Sequence, residues 1–158
     1  MTVSFIGHAF LVTNEDVKEL VKELLREETA EADHVTCYLG RHGEFDRLCA
    51  HACKELKKER KGIETIYVTP YITSTEHEHI KDLQAQGLCD AVLYPPLESV
   101  PPRLALIRRN EWIVANADLV IAYVNHSYGG AYRALCAAKR RGKRIINLCH
   151  RIDSCANG

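Results

Sequence analysis

Six short runs of apolar and β-branched residues punctuate the chain: Val3 to Ile6, Val35 to Leu39, Ile63 to Thr69, Ala91 to Leu93, Leu119 to Val124 and Arg144 to Leu148. Segments of helical periodicity separate them. A strand that is apolar at nearly every position must be covered on both faces, and strand–helix–strand repeats supply that cover through right-handed crossovers. The chain therefore reads as an α/β fold with a mainly parallel sheet and helices on both faces. Val17, Leu20, Val21, Leu24 and Leu25 mark the first helix, behind Thr13 and Asn14 as caps. Phe45, Leu48, Cys49, Ala52, Cys53 and Leu56 mark the second, which closes before Gly62. Further helices are expected over 76–86, 103–116 and 132–141, the last stopped by Gly142. Tyr94 to Pro102 carries four prolines and must be irregular.

At 158 residues the pattern fills one domain over 1–150, with 151–158 as a tail. The 21 basic and 21 acidic side chains cancel, which removes the broad positive field of a nucleic-acid binder. Nucleic acid is thus not the expected partner, and phosphate recognition should be local. No apolar run approaches the roughly 18 residues of a membrane span, and no basic region precedes the apolar start, so a cytoplasmic location is expected. The seven cysteines include no Cys-x-x-Cys pair and are odd in number, which argues for packing over a disulfide framework. His77 and His79, at i and i+2 on a helix, point apart, so no metal site is expected.

In open parallel sheets ligands bind beyond the carboxyl ends of the strands, where strand order reverses. Gly7 with His8, the Gly40 to Asp46 loop, Pro70 with Tyr71, and the Asn125 to Gly130 loop all sit at such ends and should share one rim. In Tyr-Leu-Gly-Arg-His-Gly-Glu-Phe-Asp, Tyr38 to Asp46, a strand runs through a two-glycine turn into a helix. Gly40, Gly43 and the helix starting near Phe45 would hold a phosphate or ribose through open backbone N–H groups. Asp46 would accept from a ribose hydroxyl or simply favour the helix dipole. Arg41 and His42 would contact an anion or stay solvated. In the second loop Asn125, Ser127 and the N–H groups of Gly129, Gly130 and Ala131 would form another cradle, with Tyr132 and Arg133 for a base and a phosphate; an ordinary turn or a partner subunit would use the same residues. Arg108, Arg109 and Asn110 precede the fifth strand on a helix that can reach the rim, and Arg109 is the candidate to contact a phosphate there. Trp112 suits core or dimer surface.

The ordered set Thr-Val-Ser-Phe-Ile-Gly-His, Tyr-Leu-Gly-x-x-Gly-x-Phe-Asp, Val-Thr-Pro-Tyr-Ile, Arg-Asn-x-x-Ile-Val-x-x-Ala-Asp-Leu-Val-Ile-Ala-Tyr, Gly-Gly-Ala-Tyr and Gly-Lys-x-Ile-Ile-Asn-Leu covers Thr2 to Leu148. It resembles bacterial proteins of the DprA/LOG-like (SLOG) superfamily, close to the YpsA-like group. The resemblance implies a Rossmann-like three-layer fold, a homodimer and a nucleotide or nucleotide-derived ligand of the NAD or ADP-ribose kind. It requires no cofactor beyond that ligand. Arg41 stands where related groups often have a second glycine. The phosphoribohydrolase members carry a catalytic glutamate after their glycine pair, whereas here Gly129-Gly130 runs into Ala-Tyr-Arg-Ala-Leu-Cys, with no carboxylate before Asp153. A sensor or binding module is therefore the expected function. The alternative is a nucleotide N-glycosidase or deoxyribosyltransferase, for which Glu44 and Asp46 are the rim carboxylates. A DNA-binding adaptor on the DprA side is a third class, and zero net charge counts against it.

Overall fold

The computed structural model describes residues 1–8, 15–40 and 43–151. Along the chain they form β1 (Thr2–Gly7), α1 (Glu15–Glu28), β2 (Val35–Leu39), α2 (Glu44–Glu59), β3 (Ile63–Val68), α3 (Ser74–Ala85), β4 (Ala91–Leu93), a 3-10 turn (Pro102–Leu104), α4 (Ala105–Ala115), β5 (Leu119–Tyr123), α5 (Gly129–Arg140) and β6 (Arg144–Asn147). All six strands join one sheet in the order β4-β3-β2-β1-β5-β6, with every pairing parallel. The result is a Rossmann-like three-layer α/β fold.

Successive strand residues face opposite layers, and the central strands show it residue by residue. Phe5, Leu119 and Ile121 pack with Val17, Val21 and Leu24 of α1 and with Phe45, Cys49 and Leu56 of α2. Ile6, Val120 and Ala122 pack on the other side with Val114 of α4 and Ala134, Leu135 and Ala138 of α5. Such doubly covered strands have no polar face to spare, which is why the runs in the sequence are nearly unbroken. Lys18 and Lys22 of α1 both reach Glu55 of α2, at 2.8 and 2.9 Å, and tie the outer faces of the two helices together.

Two helices begin earlier than periodicity places them. α3 starts at Ser74, capped by Thr73, whose hydroxyl accepts from the Glu76 N–H at 3.2 Å. α5 starts at Gly129 because glycine carries no apolar signal yet supplies the first helical turn. The described cysteines are free, all but Cys136 buried, and no group of three His, Cys, Asp or Glu side chains among the described residues is placed to hold a metal. Among these residues no helix is long and apolar enough to cross a membrane. The expected caps Thr13 and Asn14, the loop residues Arg41 and His42, and residues 152–158 of the tail lie outside the described residues.

Candidate functional site

The chain lays β2, β3 and β4 outward on one side of β1, then returns to place β5 and β6 on the other. Strand order therefore reverses between β1 and β5, and crossovers leave opposite faces there, opening a crevice at the carboxyl ends. The pair runs in register from Val3 beside Leu119 to Gly7 beside Tyr123. Beyond the last pair, the His8 N–H donates to the Tyr123 carbonyl at 3.3 Å, and the Asn125 N–H donates to His8 Nε2 at 3.0 Å. A cavity of about 440 Å³ opens there, lined by Gly7 and His8, Asp46 of α2, Arg109 and Asn110 of α4, and His126, Tyr128 and the Gly129–Ala131 turn of α5. That volume falls in the range of small-ligand sites.

Arg109 is the unusual member. It is 4% exposed, and its Nε has no hydrogen-bond partner among the described residues. Buried guanidinium groups are normally paired, so the unmet Nε leaves a positive donor beside the cavity without an acceptor among the described residues. Burial lowers its pKa, and the Asp46 carboxylate is the foremost group acting the other way. Gly40 makes room for both: a β-carbon there would lie 2.5 Å from Arg109 Nη1 and 2.7 Å from Asp46 Oδ2. Gly40 thus leaves room for the Arg109 and Asp46 side chains.

The second source of positive potential is the start of α5. Tyr128 precedes the helix in extended conformation, and no side chain caps the first turn. Gly129 has φ +87°, a region that favours glycine, and a β-carbon at Gly129 or Gly130 would meet nothing within 4 Å. The unpaired N–H groups at this end therefore border open space beside the guanidinium. Asn147 steadies the preceding loop: its Nδ2 donates to the Val124 carbonyl at 2.8 Å and its Oδ1 accepts from the Val124 N–H at 3.1 Å.

Three rings stack along the cavity edge. The His8 and His126 centroids lie 3.5 Å apart with planes at 13°, and those of His126 and Tyr128 lie 3.9 Å apart at 21°. Burial, and then the charge His126 would carry, push the His8 pKa below its ordinary value. His8 Nε2 already accepts a hydrogen bond, so the neutral imidazole fits its surroundings.

The structure gathers some expected site residues and separates others. Gly7, His8, Asp46, Arg109, Gly129 and Gly130 share the cavity lining. Phe45 is fully buried, and its ring fills the space a side chain at Gly7 would need, so that glycine serves packing. Gly43 is the N-cap of α2; Glu44 stands 3.6 Å from Arg47 and is not in the cavity lining. Pro70 follows β3, two strands from β1, and does not line the cavity. Asn125, Ser127 and Tyr132 face a separate recess of about 280 Å³ with Asn147 and Cys149, sharing only His126 with the main cavity. His126 and Tyr128, within the loop expected at the rim, join the site without having been singled out individually, and Asn110 joins it beside Arg109. Nothing local pairs His8 with His126, because only the β1–β5 neighbourhood brings them together.

No protein-family model matches this chain, and no curated protein matches it. Among solved structures it is similar to DNA processing protein A from Helicobacter pylori, described for its single-stranded DNA binding mode, with a TM-score of 0.60 and 17% identity over 92% of this chain. The chain spans 63% of that protein's length. The likeness shows a shared Rossmann-like fold. It also corrects the expectation, drawn from zero net charge, that nucleic acid is not a partner: a protein of this fold binds single-stranded DNA. Overall charge does not exclude such a partner, because a local constellation of donors can carry phosphate contacts on a neutral chain.

Proposed function

We propose that this chain is a binding module for a phosphorylated nucleotide unit, with the phosphate seated between Arg109 and the start of α5. One observation carries the reading: Arg109 is 4% exposed and lines the switch-point cavity, and its Nε has no hydrogen-bonded acceptor among the described residues. A phosphate satisfies it with charge-assisted bonds and takes up the open N–H groups of the Gly129–Ala131 turn. The unit is a free nucleotide, including the NAD or ADP-ribose kind, or one residue of a single strand. The sequence motifs support the narrower YpsA-like assignment, and the free cysteines fit a cytoplasmic location. Single-strand binding is the second reading, favoured by the fold shared with a single-stranded DNA-binding protein.

Thermal unfolding and calorimetric titration of the full chain test this with AMP, ADP-ribose, NAD and a single-stranded oligonucleotide. A bound nucleotide at 100 times its dissociation constant should add about 2.7 kcal/mol of stability, and Arg109→Met should remove the effect. Steep weakening between about 50 and 200 mM salt for the oligonucleotide would identify many phosphate contacts and the strand reading; a shallow dependence identifies a single nucleotide. Absence of binding by every probe overturns the proposal.

A further inference from the structure

We infer that the exposed face of Tyr128 is a platform on which the nucleobase of the bound unit stacks, with His126 and His8 as the layers beneath it. This deepens, and rests on, the phosphate-binding reading of the same cavity. Three observations converge on it. The rings of His8, His126 and Tyr128 form a continuous near-parallel ladder with centroid spacings of 3.5 and 3.9 Å. All three residues line the cavity that contains the buried Arg109. The outermost ring covers one face against His126, yet Tyr128 remains 70% exposed, so its other face is open.

A large aromatic ring left this open needs a reason, since burying it elsewhere would remove apolar area from water. The ladder supplies one by fixing the ring's plane. His8 is clamped by its backbone bond to Tyr123 and by the Asn125 N–H on its Nε2, so the lowest layer is anchored to both strand ends. A base arriving on Tyr128 meets a ring already ordered and needs no specific hydrogen bonds, because every base has a π face. Tyr128 is also the residue immediately before Gly129, so base platform and phosphate cradle occupy consecutive positions of the chain. A ligand held at the α5 start by its phosphate therefore has its base directed toward the ladder. Purine units, with the larger ring overlap, should bind more tightly than pyrimidine units.

The ratio of affinities for AMP and ribose 5-phosphate isolates the base from the phosphate. Calorimetry on the full chain should give AMP the tighter binding by at least about tenfold, the factor that corresponds to 1.4 kcal/mol. Tyr128→Ala removes a ring that is 70% exposed and stacked on His126 alone among the described rings, and should weaken AMP about tenfold or more and ribose 5-phosphate less than threefold. Tyr128→Phe, which keeps the ring and drops the hydroxyl, should stay within threefold of the native chain for both. Equal affinities of the native chain for the two ligands would overturn the platform while leaving the phosphate site standing. Equal losses of both ligands in Tyr128→Ala, or a Tyr128→Phe loss as large as that of Tyr128→Ala, would overturn it too. If neither ligand binds, the platform falls, while the phosphate reading stands or falls with ADP-ribose, NAD and the oligonucleotide.

Discussion

Arg109 and the glycines around it separate residues kept for ligand from residues kept for packing. A guanidinium that is 4% exposed, with an Nε that has no hydrogen-bonded partner among the described residues, carries a desolvation cost that the nearby Asp46 charge offsets only in part. Arg109→Met keeps much of the volume and removes the charge. It should raise stability by ~1 kcal/mol in urea denaturation, within the range for replacing buried charges by apolar groups, while abolishing the ligand-induced shift. A loss of stability in that variant would instead give the arginine a structural role. Gly7 and Gly40 should part company in the same way. Gly7→Ala drives a β-carbon into the buried ring of Phe45, and overpacking of this kind costs ~1–3 kcal/mol. Gly40→Ala meets only the ends of Arg109 and Asp46, which can swing aside. It should cost less than ~1 kcal/mol in stability yet weaken nucleotide binding roughly tenfold by displacing the guanidinium.

At the scale of elements, α3 docks on β3 through a buried acid rather than a broad apolar stripe. Ile80 is its buried apolar residue, packed with Tyr67 and Cys89. Thr73 and Glu76 have capping-box spacing, but the Glu76 carboxylate turns inward: its Oε1 accepts from Tyr67 Oη at 2.6 Å and from Thr69 Oγ1 at 2.7 Å. Glu76→Ala leaves two buried hydroxyls without that acceptor and should cost ~2–3 kcal/mol, read as a lowered urea midpoint. The α1–α2 pairing is different in kind. Glu55 accepts from Lys18 and Lys22, and these bonds hold its pKa down to about 2, yet the group is solvent-screened. Glu55→Gln should therefore cost no more than ~1 kcal/mol, and less in high salt.

At the scale of the whole molecule, His8, His51 and Glu55 contribute a pH dependence whose sign follows from their lowered pKa values. His8 has its pKa lowered by burial and then by His126; His51 has its own lowered by burial and then by Arg47 and Lys54. Each binds fewer protons folded than unfolded, so its contribution is complete above the unfolded value of about 6.5 and is lost as pH falls through the folded one. Glu55 acts in a lower window, below its ordinary value near 4.5 and toward about 2. Urea midpoints should fall in two stages on acidification, and His8→Gln should flatten the upper stage.

Much of this architecture was legible because side-chain periodicity reports burial directly. Leu119 to Tyr123 reads as a strand apolar at every position because one layer takes Leu119 and Ile121 while the other takes Val120 and Ala122. That local code determined the six strands, the helices between them and the parallel, doubly covered sheet. It could not assign Phe45 to the space above Gly7, show that Arg109 is buried with its Nε unmet among the described residues, or divide the Asn125–Tyr132 segment between two recesses. Strands and helices are legible in the chain because each depends on neighbours a few residues away. Which of their ends meet depends on topology: the reversal of strand order beside β1 stacks His8 on His126 and sets Arg109 in one cavity with the start of α5, and residues so far apart along the chain leave no periodic trace of it.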